Sequence, residues 1–192
     1  MASGVIAGIV LAAGESKRMG RPKQLIDLGG RTMLQWVVDA AIESALDQVY
    51  VVIGCEADRV KASLAGWQVE FVLNEGYREG LGSSVRVGMA ALPAGATAAM
   101  FLLADQPGVT AELIDTLLAR SISTNIVAPL ASGRRANPIV FGSHWFAELA
   151  RCSGDSGGRT IVEVHPEALL LVETDADLRD VDTPQDVSNV NT

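Results

Sequence analysis

The chain has 192 residues, a formal net charge of −8 and a pI near 4.7, the size of one domain (residues 1–192) and an acidity that argues against nucleic acid, which selects basic surfaces. Hydrophobic residues make up 48% and aromatics 5%, so Ala, Val, Leu and Ile fill the core, a composition typical of helices packed on a mostly parallel sheet. No Lys or Arg precedes the apolar run at residues 5–13, and no stretch approaches ~20 apolar residues, so the expectation is a soluble cytoplasmic protein without a membrane partner.

In chain order, Val5–Leu11 reads as a buried strand, followed by a polar loop to Lys23 and a turn at Gly29-Gly30. From Thr32 the period changes, and Leu34, Val37, Val38, Ala41, Ile42 and Ala45 recur at helical spacing. Residues 49–53 form a second strand candidate ending at Gly54, then a short helix over 59–64 and a strand over 69–73. Residues 82–92 read as a helix with Val85, Met89 and Leu92 on one face, and residues 99–103 as a strand that stops at Ala104-Asp105-Gln106-Pro107. Thr110 is placed to N-cap a helix marked by Leu113, Leu117 and Leu118. Strands over 126–128 and 139–141 flank a polar loop carrying Arg134 and Arg135, and the tail after Pro184 is polar. Strands alternating with helices predict an α/β fold, a single-domain Rossmann-like three-layer sandwich with a mostly parallel sheet. There is no repeat, low-complexity tract or linker.

In such sheets ligands bind beyond the carboxyl ends of the strands, and the chemically suggestive residues cluster there. The first strand runs into Gly14-Glu15-Ser16-Lys17-Arg18-Met19-Gly20-Arg21-Pro22-Lys23. A glycine loop after a buried strand exposes backbone N–H groups in a concavity that favours anionic oxygens, and Arg18 and Lys23 can supply the charge a triphosphate needs. The alternative is an ordinary turn with solvated charges. Lys17, Arg18, Arg21, Lys23 and Arg31 are a local cationic exception on an acidic protein, which points to an anion site. The loop is not a Walker loop, because five residues separate Gly14 from Gly20 and Arg21 follows. Nor is there a G-x-G-x-x-G; the near miss at Gly80-Leu81-Gly82-Ser83-Ser84-Val85 has valine at the third glycine.

Asn74 follows the third strand, and Asp105 ends the otherwise apolar fourth. A carboxylate there either caps the turn at Gln106-Pro107-Gly108 or binds a hard cation, since magnesium is commonly held by one or two carboxylates plus phosphates. Cys55 and Cys152 lie far apart and outside any C-x-x-C, which argues against a disulfide framework and against zinc. His144 and His165 have no evident acid, Ser or Cys partner in the sequence and read as packing or surface residues, and there is no G-x-S-x-G elbow. A missing general base suits a phosphate nucleophile, which is already ionised near neutral pH.

The first loop resembles the L-A-x-G-x-S-x-R-M-G-x-x-K signature of nucleotidyltransferases that activate sugars, pterins and small phosphates. From Leu11 to Asp186 the chain is similar to the MobA-like nucleotidyltransferases, most of all to the molybdenum cofactor cytidylyltransferases. Leu11-Ala12-Ala13-Gly14, Arg21-Pro22-Lys23-Gln24-Leu25 and Gly154-Asp155-Ser156-Gly157-Gly158-Arg159 look like that branch; the guanylyl branch has a second glycine where Ala13 stands. The resemblance implies transfer of CMP from CTP to the phosphate of molybdopterin, with a molybdenum enzyme as the eventual recipient of the product. It implies nucleotide binding by Leu11, Ala12, Ala13, Gly14, Lys23, Asn74, Gly80 and Ser83, and catalytic roles for Arg18, Lys23 and Asp105. Mg2+ would sit on Asp105, with Asp182 of the Asp180-Val181-Asp182-Thr183-Pro184 segment as a second ligand or, alternatively, a helix cap. Asn137, Asp155 and Arg159 would face the acceptor; read locally, they belong to an Asn-Pro turn and a flexible glycine loop. Rival readings are guanylyl transfer, transfer to a sugar or polyol phosphate, and a non-catalytic nucleotide-binding maturation factor.

Overall fold

The structure is a computed structural model and describes residues 4–16 and 22–181. Its elements, in order, are β1 (Val5–Leu11), β2 (Asp27–Leu28), β3 (Arg31–Thr32), α1 (Met33–Glu43), β4 (Gln48–Ile53), α2 (Ala57–Ser63) and β5 (Glu70–Leu73). There follow α3 (Leu81–Ala90), β6 (Ala96–Leu103), α4 (Ala111–Leu118), β7 (Ile126–Ala131), β8 (Arg134–Arg135), β9 (Ile139–Gly142), α5 (Phe146–Leu149), α6 (Arg159–Val164) and β10 (Leu169–Thr174). The main sheet runs β10-β7-β9-β6-β1-β4-β5, with β8 paired to β7 and β2–β3 forming a separate hairpin. Pairing is parallel except around β9, which runs antiparallel to β6 and β7, and at the β7–β8 turn.

Strand alternation sorts the core into two layers. On β1, Val10 joins a cluster with Leu34, Val37 and Val38 of α1, Val60 of α2 and Ile114 and Leu117 of α4. Its neighbours Ile9 and Leu11 turn the other way, onto Val85 and Met89 of α3, Leu149 of α5 and Ile161 and Val162 of α6. The sheet is therefore covered on both faces, which explains why its central strands are apolar runs. This confirms the α/β class with a mostly parallel, mixed sheet. Among the described residues, no helix is long and apolar enough to cross a membrane.

Helix starts are set locally. Thr32 and Gln35 form a capping box on α1, with Gln35 N–H donating to Thr32 Oγ1 at 3.2 Å and Thr32 N–H to Gln35 Oε1 at 2.7 Å. Thr110 caps α4 through Leu113 N–H, as its sequence position predicts. The periodicity predicts neither edge strand β10 nor the α5–α6 pair, and it leaves Arg134 and Arg135 in a loop where they form the short strand β8. In β10, Leu169-Leu170-Leu171-Val172 lacks the alternation of a half-buried strand, and Leu170 and Leu171 stay 40% exposed.

Candidate active site

The carboxyl ends of β1 and β6, with the segment between β5 and α3, open onto a cavity of ≈ 540 Å³, lined by Leu11 to Ser16, Lys23, Gln24, Tyr77, Arg78, Gly80, Leu81, Ser84, Asp105, Asp155 and Asp180 among others. Lys23 reaches it from a short 3-10 turn, Lys23–Leu25, that begins where Pro22 fixes the backbone. Its ammonium is ion-paired with the Asp105 carboxylate, both side chains being partly buried. Two residues 82 positions apart, each singled out from its own segment, thus meet. A cation and a carboxylate so placed neutralise each other until an anionic ligand or a metal competes for one of them.

The glycine loop is held from behind. Ala12 N–H donates to Val52 O at 2.9 Å, and Ala13 O accepts from Cys55 N–H at 3.1 Å. Gln24, 3% exposed, donates its amide to Ala12 O at 3.2 Å and to Gly14 O at 3.5 Å. Across the cavity mouth, Arg78 donates to Glu15 Oε1 at 2.8 Å and lies 5.1 Å over the Tyr77 ring. The hydrogen bond to Glu15 is the main cause that holds the Arg78 guanidinium above its ordinary value. Gly14 is not demanded by packing, since a Cβ there would meet nothing within 4 Å; its open side is space left in a ligand cavity.

Asn74 and Ser83 do not line this cavity. Both are buried, Asn74 donating to Ser83 Oγ at 2.9 Å and Ser84 Oγ at 3.0 Å, and Ser83 donating to Gly80 O at 2.8 Å. They brace the first turn of α3 from behind, while Gly80 and Ser84 line the cavity. Gly80 has φ +101°, and a Cβ there would lie 2.5 Å from Asp155 Oδ1 and 2.6 Å from the Gly154 backbone. The 152–158 loop is pressed onto α3 there and at Gly82, whose N–H donates to Gly154 O at 2.8 Å. Asp155 consequently borders both this cavity and a second one.

The second cavity, ≈ 1330 Å³, adjoins the first and contains Arg134, Arg135, Asn137 and Arg159 beside the apolar Phe101, Ile139 and Phe141. Phe101 and Phe141 meet edge to face at 5.9 Å between ring centroids. Arg159 is ion-paired with Glu163 at 3.2 Å and is largely exposed. Gln106, buried, ties the two cavities to the end of the described chain, donating to Leu178 O at 3.1 Å and Asp180 Oδ1 at 2.8 Å. Val181 N–H donates to Asp105 O at 3.0 Å. Arg18 and Asp182 lie outside the described residues. His165 does have acid neighbours, Glu148 at 3.6 Å and Glu167 at 3.3 Å, and its ring packs on Trp145.

Among the described residues, no three His, Cys, Asp or Glu side chains converge as a metal cage. Asp105 is a single carboxylate on the wall of the cavity, and one carboxylate suffices for a divalent cation whose remaining ligands come from phosphates and water. Gln24 and Asp180 lie within segments that carry the resemblance, yet like Tyr77 and Arg78 they have no role assigned from the sequence; a buried amide or a stacked Arg–Tyr pair is visible only once distant segments meet.

Comparison with known proteins places the chain in a family. The chain is 31% identical to the nicotine blue oxidoreductase of Paenarthrobacter nicotinovorans, over 96% of this chain and 93% of that protein. It is 29% identical to the purine catabolism protein PucB of Bacillus subtilis (strain 168), covering 99% of this chain and 98% of that protein. The crystal structure of Rv0371c from Mycobacterium tuberculosis H37Rv superposes with a TM-score of 0.90 at 31% identity, covering 99% and 98% of the two chains. A structure of Rv0371c in complex with manganese has a TM-score of 0.86 at 29% identity, covering 98% of each chain. The model of the MobA-like NTP transferase domain matches residues 8–169, a span that takes in the glycine loop, Lys23, Asp105 and the 152–158 loop. On that match the chain belongs to the MobA-like NTP transferase family, a family of nucleotidyltransferases.

Proposed function

We propose that this chain, acting as one catalytic domain over residues 1–192, is a molybdenum cofactor cytidylyltransferase that transfers CMP from CTP to the terminal phosphate of molybdopterin and releases pyrophosphate. The observation that carries this reading is the meeting of Lys23 and Asp105 beside the glycine loop, in a cavity that adjoins a second, arginine-bearing one. One cavity suits the nucleotide and the other an acceptor. An oxygen of the acceptor phosphate forms the new bond to the α-phosphorus. The bond from that phosphorus to the bridging oxygen breaks, and pyrophosphate leaves with the electron pair. Leu11, Ala12, Ala13 and Gly14 hold the nucleotide, Lys23 offsets charge developing at the α-phosphate, and Arg18 neutralises the leaving group. Asp105, with Asp182 as a second ligand, would hold Mg2+, which when bound supplies Lewis-acid polarisation of the phosphoryl oxygens.

Two features support the choice of substrates. The Ala13 methyl group narrows the space beside the base where the guanylyl branch has glycine, which favours CTP. Arg134, Arg135 and Arg159 beside Phe101, Ile139 and Phe141 suit a planar heterocycle carrying a phosphate. Asn137 and Asp155 complete that wall, and a molybdenum enzyme would receive the product. A rival rests on the name of one relative, an oxidoreductase. Pyrophosphate release, measured with each of the four nucleotides with and without molybdopterin and Mg2+, decides between them. The expected result is release that needs molybdopterin and is fastest with CTP. Equal or faster release with GTP removes the cytidylyl assignment, and no release with any nucleotide removes the transferase.

A further inference from the structure

The glycine loop and the backbone of Lys23 are joined by one buried side chain that none of these roles includes. Gln24 is 3% exposed, yet it is polar and makes a closed set of bonds. Its amide nitrogen donates to Ala12 O at 3.2 Å and, at 3.5 Å, to Gly14 O. Its carbonyl accepts from Ser16 Oγ at 3.3 Å, and Ser16 Oγ accepts from Lys23 N–H at 2.9 Å. A primary amide is the neutral side chain that offers donors to two carbonyls and an acceptor to a hydroxyl at once.

The consequence for the loop follows from peptide geometry. In a trans peptide the C=O and the next N–H point in opposite directions. Drawing Ala12 O and Gly14 O toward Gln24 therefore turns the Ala13 and Glu15 N–H groups away from it. Cys55 N–H does the same for the peptide between them by holding Ala13 O at 3.1 Å. Carbonyl oxygens, which would repel a phosphate, are thus turned to donors on the protein. Through Ser16 the same amide fixes the backbone of Lys23, whose side chain meets Asp105.

We propose that Gln24 is a positioning residue for nucleotidyl transfer: it sets the curvature of the 12–16 loop and, through Ser16, the position from which Lys23 serves the reacting phosphate. The proposal rests on the transferase reading above. It predicts that Gln24 acts through Lys23 and not merely on stability.

The test is a double-mutant cycle with Gln24→Met, of similar length but without donors or acceptor, and Lys23→Ala, read by kcat and KM for pyrophosphate release and by thermal melts. Gln24→Met should remain folded and lower kcat about 10- to 100-fold, the range of a displaced charge-stabilising group. In the Lys23→Ala background the same substitution should cost less than about 3-fold, because residues acting as a unit are not additive. Gln24→Glu, which keeps the acceptor for Ser16 but presents oxygen to the loop carbonyls, should be at least as impaired as Gln24→Met. A lowered melting temperature with unchanged kcat, or fully multiplicative effects of the two substitutions, overturns the proposal. Amide hydrogen exchange over residues 12–16 of the free protein supplies a readout independent of turnover. Faster exchange in Gln24→Met supports the setting of the 12–16 loop by Gln24 even if the wild type releases no pyrophosphate, in which case it is the transferase reading, and the service to that reaction, that falls. Unchanged exchange overturns it.

Discussion

At the scale of single residues, Lys23 and Asp105 have opposite charges and one cavity, and their substitutions should separate chemistry from folding. Lys23→Ala is expected to lower kcat ~100- to 1000-fold, as loss of one charge-stabilising donor does, with a smaller change in nucleotide affinity. Lys17→Ala, at a position the family pattern leaves free, should have little effect; matching modest losses from both would make Lys23 an ordinary loop cation. Asp105→Asn keeps size and turn-forming capacity but removes the charge that pairs Lys23 and would bind Mg2+. Thermal melts should show a folded protein, and pyrophosphate-release assays a collapsed turnover that recovers in part with excess magnesium or with manganese. A fully active variant would leave Asp105 as a turn residue only. A different residue links stability to alkaline pH. Burial pushes the Cys152 thiol up, against the opposing charge of Arg86. Because the folded-state value is raised, its contribution to stability is complete below the ordinary thiol range and is lost as the pH rises through the folded value. Urea midpoints at neutral and alkaline pH should therefore fall less for Cys152→Ser than for the wild type; equal declines would contradict the burial argument.

At the scale of elements, the contact between α3 and the 152–158 loop is where the two cavities are held together. It depends on Gly80 and Gly82, which both pack against the loop backbone. A Cβ at Gly82 would lie 2.6 Å from the Ser153 backbone, whereas one at Gly95 would meet nothing within 4 Å. Gly82→Ala should push the loop away from α3 and move Asp155 from the boundary. Gly95→Ala should be neutral. The difference is checked by comparing melting temperatures and the KM for acceptor in the two variants, and equal values would show that the loop is not pinned there. The start of α1 is likewise local in origin: Thr32→Ala removes one half of the capping box and should cost about 1 kcal/mol by denaturant unfolding. An unchanged midpoint would show that tertiary packing alone holds that helix start.

For the whole molecule, a net charge of −8 means that a polyanionic substrate is bound against the overall field. On the proposed reading, the cations of the first loop and a Mg2+ ion accompanying the nucleotide would have to overcome that field locally. Binding should accordingly be linked to the metal. CTP with Mg2+ should raise the melting temperature more than CTP or Mg2+ alone, since a ligand at 100 times its Kd stabilises by about 2.7 kcal/mol. A shift by CTP that is the same with and without Mg2+ would contradict the metal's place at Asp105.

The sequence by itself determined the elements whose cause is local or periodic. β1 is legible because an apolar run leads into a glycine loop, α1 because helical spacing begins after Thr32, α4 because a threonine cap precedes that spacing, and the glycine loop because its residues are consecutive. It also singled out Lys23 and Asp105, each conspicuous within its own segment. Tertiary structure alone decided that these two meet, that Asn74 and Ser83 brace α3 from behind the cavity wall, and that Gln24 is buried against the loop carbonyls. It also decided that Leu169–Thr174 is an edge strand and that β9 reverses direction in the sheet. The reason is physical: propensity, capping and spacing act over a few residues, whereas strand order, ion pairs and the satisfaction of a buried amide depend on which distant segments the packed core brings together.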